Sequence, residues 1–569
     1  MEGSKTVSAE TFRSPLFALS SAYIDDLADK NTLFAITEGL GTPSRLADFS
    51  PRATAERVEQ LQHFLGALDS PDNAPTDDID RIAAIVMRER WTSALHLAQS
   101  GESDRTFSVL WSPVSELRQA FDLIPHETEQ ERERIVGWLG EVRPALATWK
   151  ETLDLVATRG QLPSQRHVIG VAEQAVTYSE GTFDHLVHTV ESSHGPQPAL
   201  RAAAADAQAA FGEFGQMMKA TYVPQATASD YVGEDRYLLW ASHFTGKTLD
   251  LHELYAWGWD DLRGIHRRMV ELAREFAPNS ASLTEAIEVL DADERYLIHG
   301  EAALIAALEK IIADANSALE NKYFSIDPRI RHCEVKLAPP GSASAAYYIG
   351  PNEDLTRPGS TWFPTMGATQ FPLWRSISTW YHEGVPGHHL ESATSLINAE
   401  RLSRFHRIDG WISGYGEGWA LYAERLMFEL GFMSDYGAEM GYLVSQALRA
   451  ARIVVDIGMH LQLTAPADLG VLEGLGDCSG RVWTPEMAGA LLQYRACLTN
   501  IEATSEVDRY LGNPGQAISY KVGEREWIRA REAATTRYGE SFDFKAFHKF
   551  ALDLGPMGLD SFATEMARF

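Results

Sequence analysis

The segment Trp380-Tyr381-His382-Glu383-Gly384-Val385-Pro386-Gly387-His388-His389-Leu390-Glu391 constrains this chain more than any other, because it sets imidazoles beside a carboxylate on a helix that cannot run straight. In an H-E-x-x-H helix, histidines four residues apart share a face, bind Zn²⁺ and leave the adjacent Glu to activate water. Here the fifth residue is Pro386. At about 100° per residue, His382 and His388 on an unbroken helix would point roughly 120° apart and could not grip one ion. Pro386 has no N–H to return to the His382 carbonyl, and Gly384 and Gly387 permit unusual backbone angles, so a bulge is expected between the two histidines. Such a bulge turns His388 back toward His382. His389 competes: seven residues on, it regains the face but sits about 10 Å up the axis. The expected ligands are His382 and His388, with Glu383 as base and His389 and Glu391 as alternative or outer ligands.

A tetrahedral site with an open position needs a third protein donor. The segment Gly414-Tyr415-Gly416-Glu417-Gly418-Trp419-Ala420-Leu421-Tyr422-Ala423-Glu424-Arg425-Leu426 offers one. Its glycines lead into a helical pattern that puts Glu417 at the start. Glu424, two turns on, shares its face, so one carboxylate can bind metal while the other holds a ligand histidine from behind. Glu417 is the expected ligand and Glu424 the supporting carboxylate. The Gly-x-Gly-x-Gly spelling also mimics a phosphate loop, but no buried strand precedes it and no Gly-Lys-Ser/Thr follows.

Together with Ala451-Arg452-Ile453-Val454-Val455-Asp456-Ile457-Gly458-Met459-His460 and Asn513-Pro514-Gly515-Gln516-Ala517-Ile518-Ser519-Tyr520-Lys521-Val522-Gly523, these two segments resemble the bacterial domain-of-unknown-function 885 family. The resemblance covers nearly the whole chain from the Phe17 to Pro51 region onward. It implies a mainly α, zincin-like helical clam-shell similar to the oligopeptidase, thermostable carboxypeptidase and angiotensin-converting metallopeptidases, with no settled substrate. Amide hydrolysis needs a donor for the developing oxyanion and a cation for any substrate carboxylate. With the resemblance behind them, Tyr520 and His460 are candidate oxyanion donors. Arg509 and Gln516, beside the Pro514-Gly515 turn, are candidate substrate contacts, and Arg449 and Arg452 flank the Asp456–His460 pair.

With 569 residues the chain is long enough for more than one lobe, and no Gly/Ser linker separates independent domains. Asp plus Glu number 79 against 50 for Lys plus Arg, a net charge of −29, which excludes nucleic acid and anionic membrane as natural partners. Cys333, Cys478 and Cys497 are widely spaced and form no C-x-x-C, arguing against a disulfide framework or a thiolate zinc site. The start Met1-Glu2-Gly3-Ser4-Lys5 lacks the apolar core of a signal peptide, and no run of eighteen apolar residues follows, so a cytoplasmic location is expected.

Residues from about Leu16 to Leu319 read as amphipathic helices, among them Thr54 to Leu68, Arg132 to Thr158, Leu200 to Tyr222 and Leu283 to Leu319. Between about His332 and Pro364 the alternation changes, and Cys333–Leu337, Ala346–Ile349 and Thr361–Phe363 read as short strands. This predicts a small sheet just before the metal-binding helix. An exposed edge carrying Ala346, Tyr347 and Tyr348 could pair with an extended substrate. The expected division is a helical lobe over 1–330 and a catalytic lobe over 331–569. The expected function is hydrolysis by one Zn²⁺ ion, with a peptidase as first reading. An amidase or deacylase on a small-molecule amide and a non-catalytic binding protein with structural zinc are the alternatives.

Overall fold

Helix boundaries follow the capping chemistry of the sequence. Ser50 caps a helix over Pro51–Leu68 with Pro51 at its first position, and Thr128 and Glu131 close a reciprocal capping box on Glu129–Thr158. The computed structural model describes residues 12–122, 124–338 and 345–569, so Met1 to Lys5 lie outside the described residues. It is mainly helical, with short sheets only. The expected helix from Leu283 to Leu319 is two, Leu283–Asp291 and Glu301–Leu319. Between them Leu297–His299 pairs antiparallel with Gln370–Pro372, and Gly300 at φ +84° turns the chain. Periodicity alone misses this interruption because both halves are amphipathic.

The largest apolar core runs from Leu16 to Met566, and a second is confined to residues between Ile36 and Ala226. The cores therefore divide the chain differently from the expected boundary at 330/331. Residues before it, such as Leu304, Leu308 and Ile312, share one core with Trp380, Trp419 and Trp527. No helix among the described residues is long and apolar enough to cross a membrane, and the three cysteines are free.

The elements that build the site lie in the second half. Strands β1 (Glu334–Leu337), β2 (Tyr347–Ile349) and β3 (Ser360–Phe363) form a sheet in the order β1-β3-β2, parallel between β1 and β3 and antiparallel between β2 and β3. Then follow α1 (Ile377–Glu383), α2 (His388–Ile397), α3 (Ser413–Glu429), α4 (Tyr436–His460), α5 (Asn500–Gly512) and α6 (Ser519–Tyr538). Helices α3 and α6 approach backbone to backbone: a Cβ on Gly523 would lie 1.9 Å from the Gly414 carbonyl oxygen, and one on Gly418 would lie 2.4 Å from Gly523 Cα. The glycines of 414–418 thus sit inside α3 as a contact face, and Glu417 lies in its second turn, not at its start.

Candidate metal centre

The interruption between His382 and His388 is larger than a bulge. Helix α1 ends at Glu383, residues Gly384–Gly387 turn, with a cis bond at Val385–Pro386, and α2 begins at His388. The turn is so tight that a Cβ on Gly387 would lie 1.9 Å from the His382 carbonyl oxygen, so glycine is required there. Trp419, two residues beyond Glu417, donates from its indole N–H to the carbonyls of Pro386 (2.9 Å) and Gly387 (3.1 Å), tying the turn to α3.

The rings of His382 and His388 stand 4.7 Å apart and nearly perpendicular. Glu417 Oε2 lies 3.2 Å from His382 Nε2 and 3.4 Å from His388 Nε2, and ligand atoms of the three residues lie within 4.8 Å of one another. Zinc bonds of ~2.1 Å in a tetrahedron imply ligand–ligand edges of ~3.4 Å, so the two short separations fit one small divalent cation. Behind the ring, His382 Nδ1–H donates to Glu424 Oε1 at 2.9 Å, which leaves the Nε2 lone pair facing the other donors. Glu424 is fixed in turn by the Ser378 hydroxyl and by Ser445 Oγ at 2.8 Å.

Charge is out of balance here. Burial raises the Glu383 carboxyl above its usual range, partly offset by His382 and His388. Burial opposes the His382 imidazolium, but hydrogen bonds to Glu417 and Glu424 outweigh it and lift the group to about 9. Burial acts against the Glu417 carboxylate too, yet the two histidines hold it well below its usual value. Three buried carboxylates around two imidazoles favour a cation at their centre, and with protein groups alone a proton on His382 fills that role.

His389 faces elsewhere. Its Nε2–H donates to the Ile330 carbonyl at 2.7 Å, its Nδ1 accepts from Tyr348 Oη at 3.1 Å, and burial lowers it to about 4. It is not brought to the cluster, because the helix restarts at His388 and not one residue later. The Tyr348 hydroxyl is committed to His389, and the Tyr347 ring stacks on Trp362 at 5.9 Å. The backbone of β2, with half-buried Ala346 just before it, remains the edge of its sheet. Glu391 is buried, accepts from Ser395 Oγ at 3.4 Å and is pushed up to about 7 by burial, with no bond to the cluster.

Tyr520 is brought to the site and His460 is not. The Tyr520 ring stacks on His382 with centroids 6.3 Å apart and planes 17° apart, and Arg452 lies 4.5 Å from the ring on its way from α4. His460 sits fifteen residues beyond Ser445 on α4, a rise of ~22 Å. Its Nε2–H donates to the Tyr510 carbonyl at 3.1 Å, and its ring packs on Tyr237. Gln516 donates to Ser413 Oγ at 3.3 Å and so braces the turn before α6, while Arg509 pairs with Glu506 at 3.1 Å. Sequence reasoning missed Ser378, Ser445 and the clamp of Trp419. Ser378 lies one helical turn before His382, which is a usable signal; nothing in the sequence points to Ser445.

The solved structures similar to this chain include a "putative lipoprotein from Colwellia psychrerythraea", 21% identical with TM-score 0.81, covering 97% of this chain and 98% of that one. Another is "a putative lipoprotein of unknown function from Shewanella oneidensis", 19% identical with TM-score 0.70, covering 97% and 99%. At these identities the likeness is one of fold. A comparison with curated proteins finds no match. The family model described as bacterial protein of unknown function (DUF885) matches residues 33–566, nearly the whole length over which the helices, the sheet and the histidine–glutamate cluster are laid out, and the chain belongs to that family.

Proposed function

We propose that this protein is a zinc-dependent hydrolase of the zincin-like clam-shell kind, most simply a metallopeptidase on short peptides, with one Zn²⁺ held by His382, His388 and Glu417. The observation that carries the reading is the convergence of two Nε2 atoms on a single Glu417 oxygen, 3.2 and 3.4 Å away, with Glu383 next in the chain to a ligand histidine. Zinc, when bound, supplies Lewis-acid polarisation of water and of the scissile carbonyl. Glu383 takes the proton of the attacking water and passes it to the leaving amine, and its burial, which raises its proton affinity, suits that exchange. The Tyr520 hydroxyl, on a ring stacked against His382, donates to the oxyanion. Edge strand β2 offers main-chain groups to an extended substrate. Glu424 keeps the His382 ring in its ligating tautomer.

The test is to screen zinc-loaded protein against a mixed peptide library together with Glu383→Gln. The expected result is cleavage by the native chain, with turnover reduced by about 10² or more in the variant at unchanged zinc content. Equal turnover in both proteins removes Glu383 from the chemistry. Turnover of small amides without peptide cleavage transfers the same site to an amidase.

A further inference from the structure

Three guanidinium groups crowd the side of Tyr520 within one small region. Arg452 lies 4.5 Å and Arg449 6.0 Å from the centre of its ring, and Arg509 reaches in from α5. Among the described residues a single carboxylate is ion-paired with them. Glu506 Oε2 takes Arg452 at 2.9 Å and Arg509 at 3.1 Å, besides the Tyr510 hydroxyl. Arg449 has no ion pair among the described residues and makes one long bond, 3.4 Å to the Ser445 carbonyl. Buried N–H groups are left without a partner on all three: Nε of Arg449, Nη1 of Arg452 and Nε of Arg509. Guanidinium N–H groups that are buried without an acceptor are costly unless an anion completes them. Planar forks with free N–H groups match a carboxylate.

We infer that Arg449, Arg452 and Arg509 receive a carboxylate of the substrate, the free C-terminus of a peptide, so that the enzyme releases one or two residues from that end. This rests on the hydrolase reading above. The span agrees: Arg452 and the ring of His382 both lie against the Tyr520 ring, 4.5 and 6.3 Å from its centre, and each extended residue advances ~3.5 Å, so the anion belongs to the first or second residue after the scissile bond. In the reaction the amide C–N bond breaks and a C–O bond forms from water. One water proton passes through Glu383 to the leaving nitrogen, and the arginines hold the leaving portion without changing charge.

The experiment compares one peptide series with a free C-terminus, with a C-terminal amide, and with an amide plus a glutamate side chain in the last position. Cleavage is measured with zinc-loaded native protein and with Arg449→Gln, the arginine whose loss breaks no ion pair. Binding of the same peptides is measured by calorimetry to zinc-loaded Glu383→Gln and to the Glu383→Gln/Arg449→Gln double variant. The acid should be preferred over the amide by at least 10-fold, and Arg449→Gln should remove most of that preference, a cut of about 10-fold, in cleavage and in binding alike. Arg509→Gln should do the same if Arg449→Gln fails to fold. Equal handling of acid and amide by native protein overturns the inference. So does an Arg449→Gln effect that falls equally on both peptides, which would make the cluster a counter-charge to Glu383 and Glu424. Restoration of binding by the glutamate side chain on an amide would likewise overturn the C-terminal assignment. If no peptide is cleaved at all, the hydrolase reading fails, and the acid-over-amide difference in binding still decides this one.

Discussion

Two of the buried imidazole–carboxylate pairs on this scaffold behave oppositely. His382 is paired with Glu424 and faces Glu417, and carboxylates on both sides lift it to about 9. His460 lies 3.5 Å from Asp456, one turn away on α4, yet burial depresses it to about 4 and raises Asp456 to about 8. At the first pair the acceptors are ionised and outnumber the imidazoles. At the second, burial outweighs the bonds from Tyr237 Oη at 2.8 Å and the Gly515 N–H at 3.2 Å, which favour the Asp456 carboxylate, and the pair is left uncharged. A histidine beside an acid is therefore not yet a metal site; what matters is how many uncompensated acceptors converge on it.

The largest effect that would break this contrast is loss of the ion. His382→Ala or His388→Ala should each strip near-stoichiometric zinc and abolish turnover, as read by metal analysis of purified protein, whereas His389→Asn should keep its zinc. Retention of full zinc in both alanine variants would sink the ligand assignment. Next comes the choice between the two candidate oxyanion donors. Tyr520→Phe should lower kcat by roughly 10- to 1000-fold with little change in KM or zinc, while His460→Gln, remote from the site, should leave kcat within about twofold. Near-normal kcat in Tyr520→Phe would return Tyr520 to packing.

Smaller still, Glu424→Gln should weaken zinc affinity by about 10- to 100-fold in competition with a chelator; unaltered affinity would mean that the carboxylate merely fills space. The gentlest probe sits at the far pair. Asp456 has a folded value of about 8, above an unfolded carboxyl near 3.8, so its contribution to stability is full at low pH and is lost as pH rises toward 8. Between pH 6.5 and 8, that loss for Asp456 is about 2 kcal/mol. Asp456→Asn should flatten the urea-unfolding stability over this window, and identical slopes in the two proteins would show that Asp456 is ionised in the fold.

The convergence of His382, His388 and Glu417 was readable in the sequence because its signals are local: His382 and Glu383 are adjacent, His388 follows a Pro-Gly signal, and Glu417 and Glu424 share one helix face. The sheet was readable for a similar reason, since β1, β2 and β3 alternate over short stretches. Contacts that depend on how helices cross were hidden. An i, i+4 spacing joins Asp456 to His460 but says nothing of where α4 carries them, and so His460 stood beside Tyr520 as a second candidate donor. Ser445 and Glu506 reach their partners only through tertiary packing. The glycines of 414–418 carried a signal that was read as a helix entrance, when they are the face on which α6 lies.

That bare face has a mechanical consequence. Where Gly418 meets Gly523, two helices touch through main chain, and no rotamer can change to widen or narrow the gap. Glu417 rides on one of these rods and Tyr520 on the other, so their separation is set by main chain and not by the choice of side-chain rotamers between the two helices.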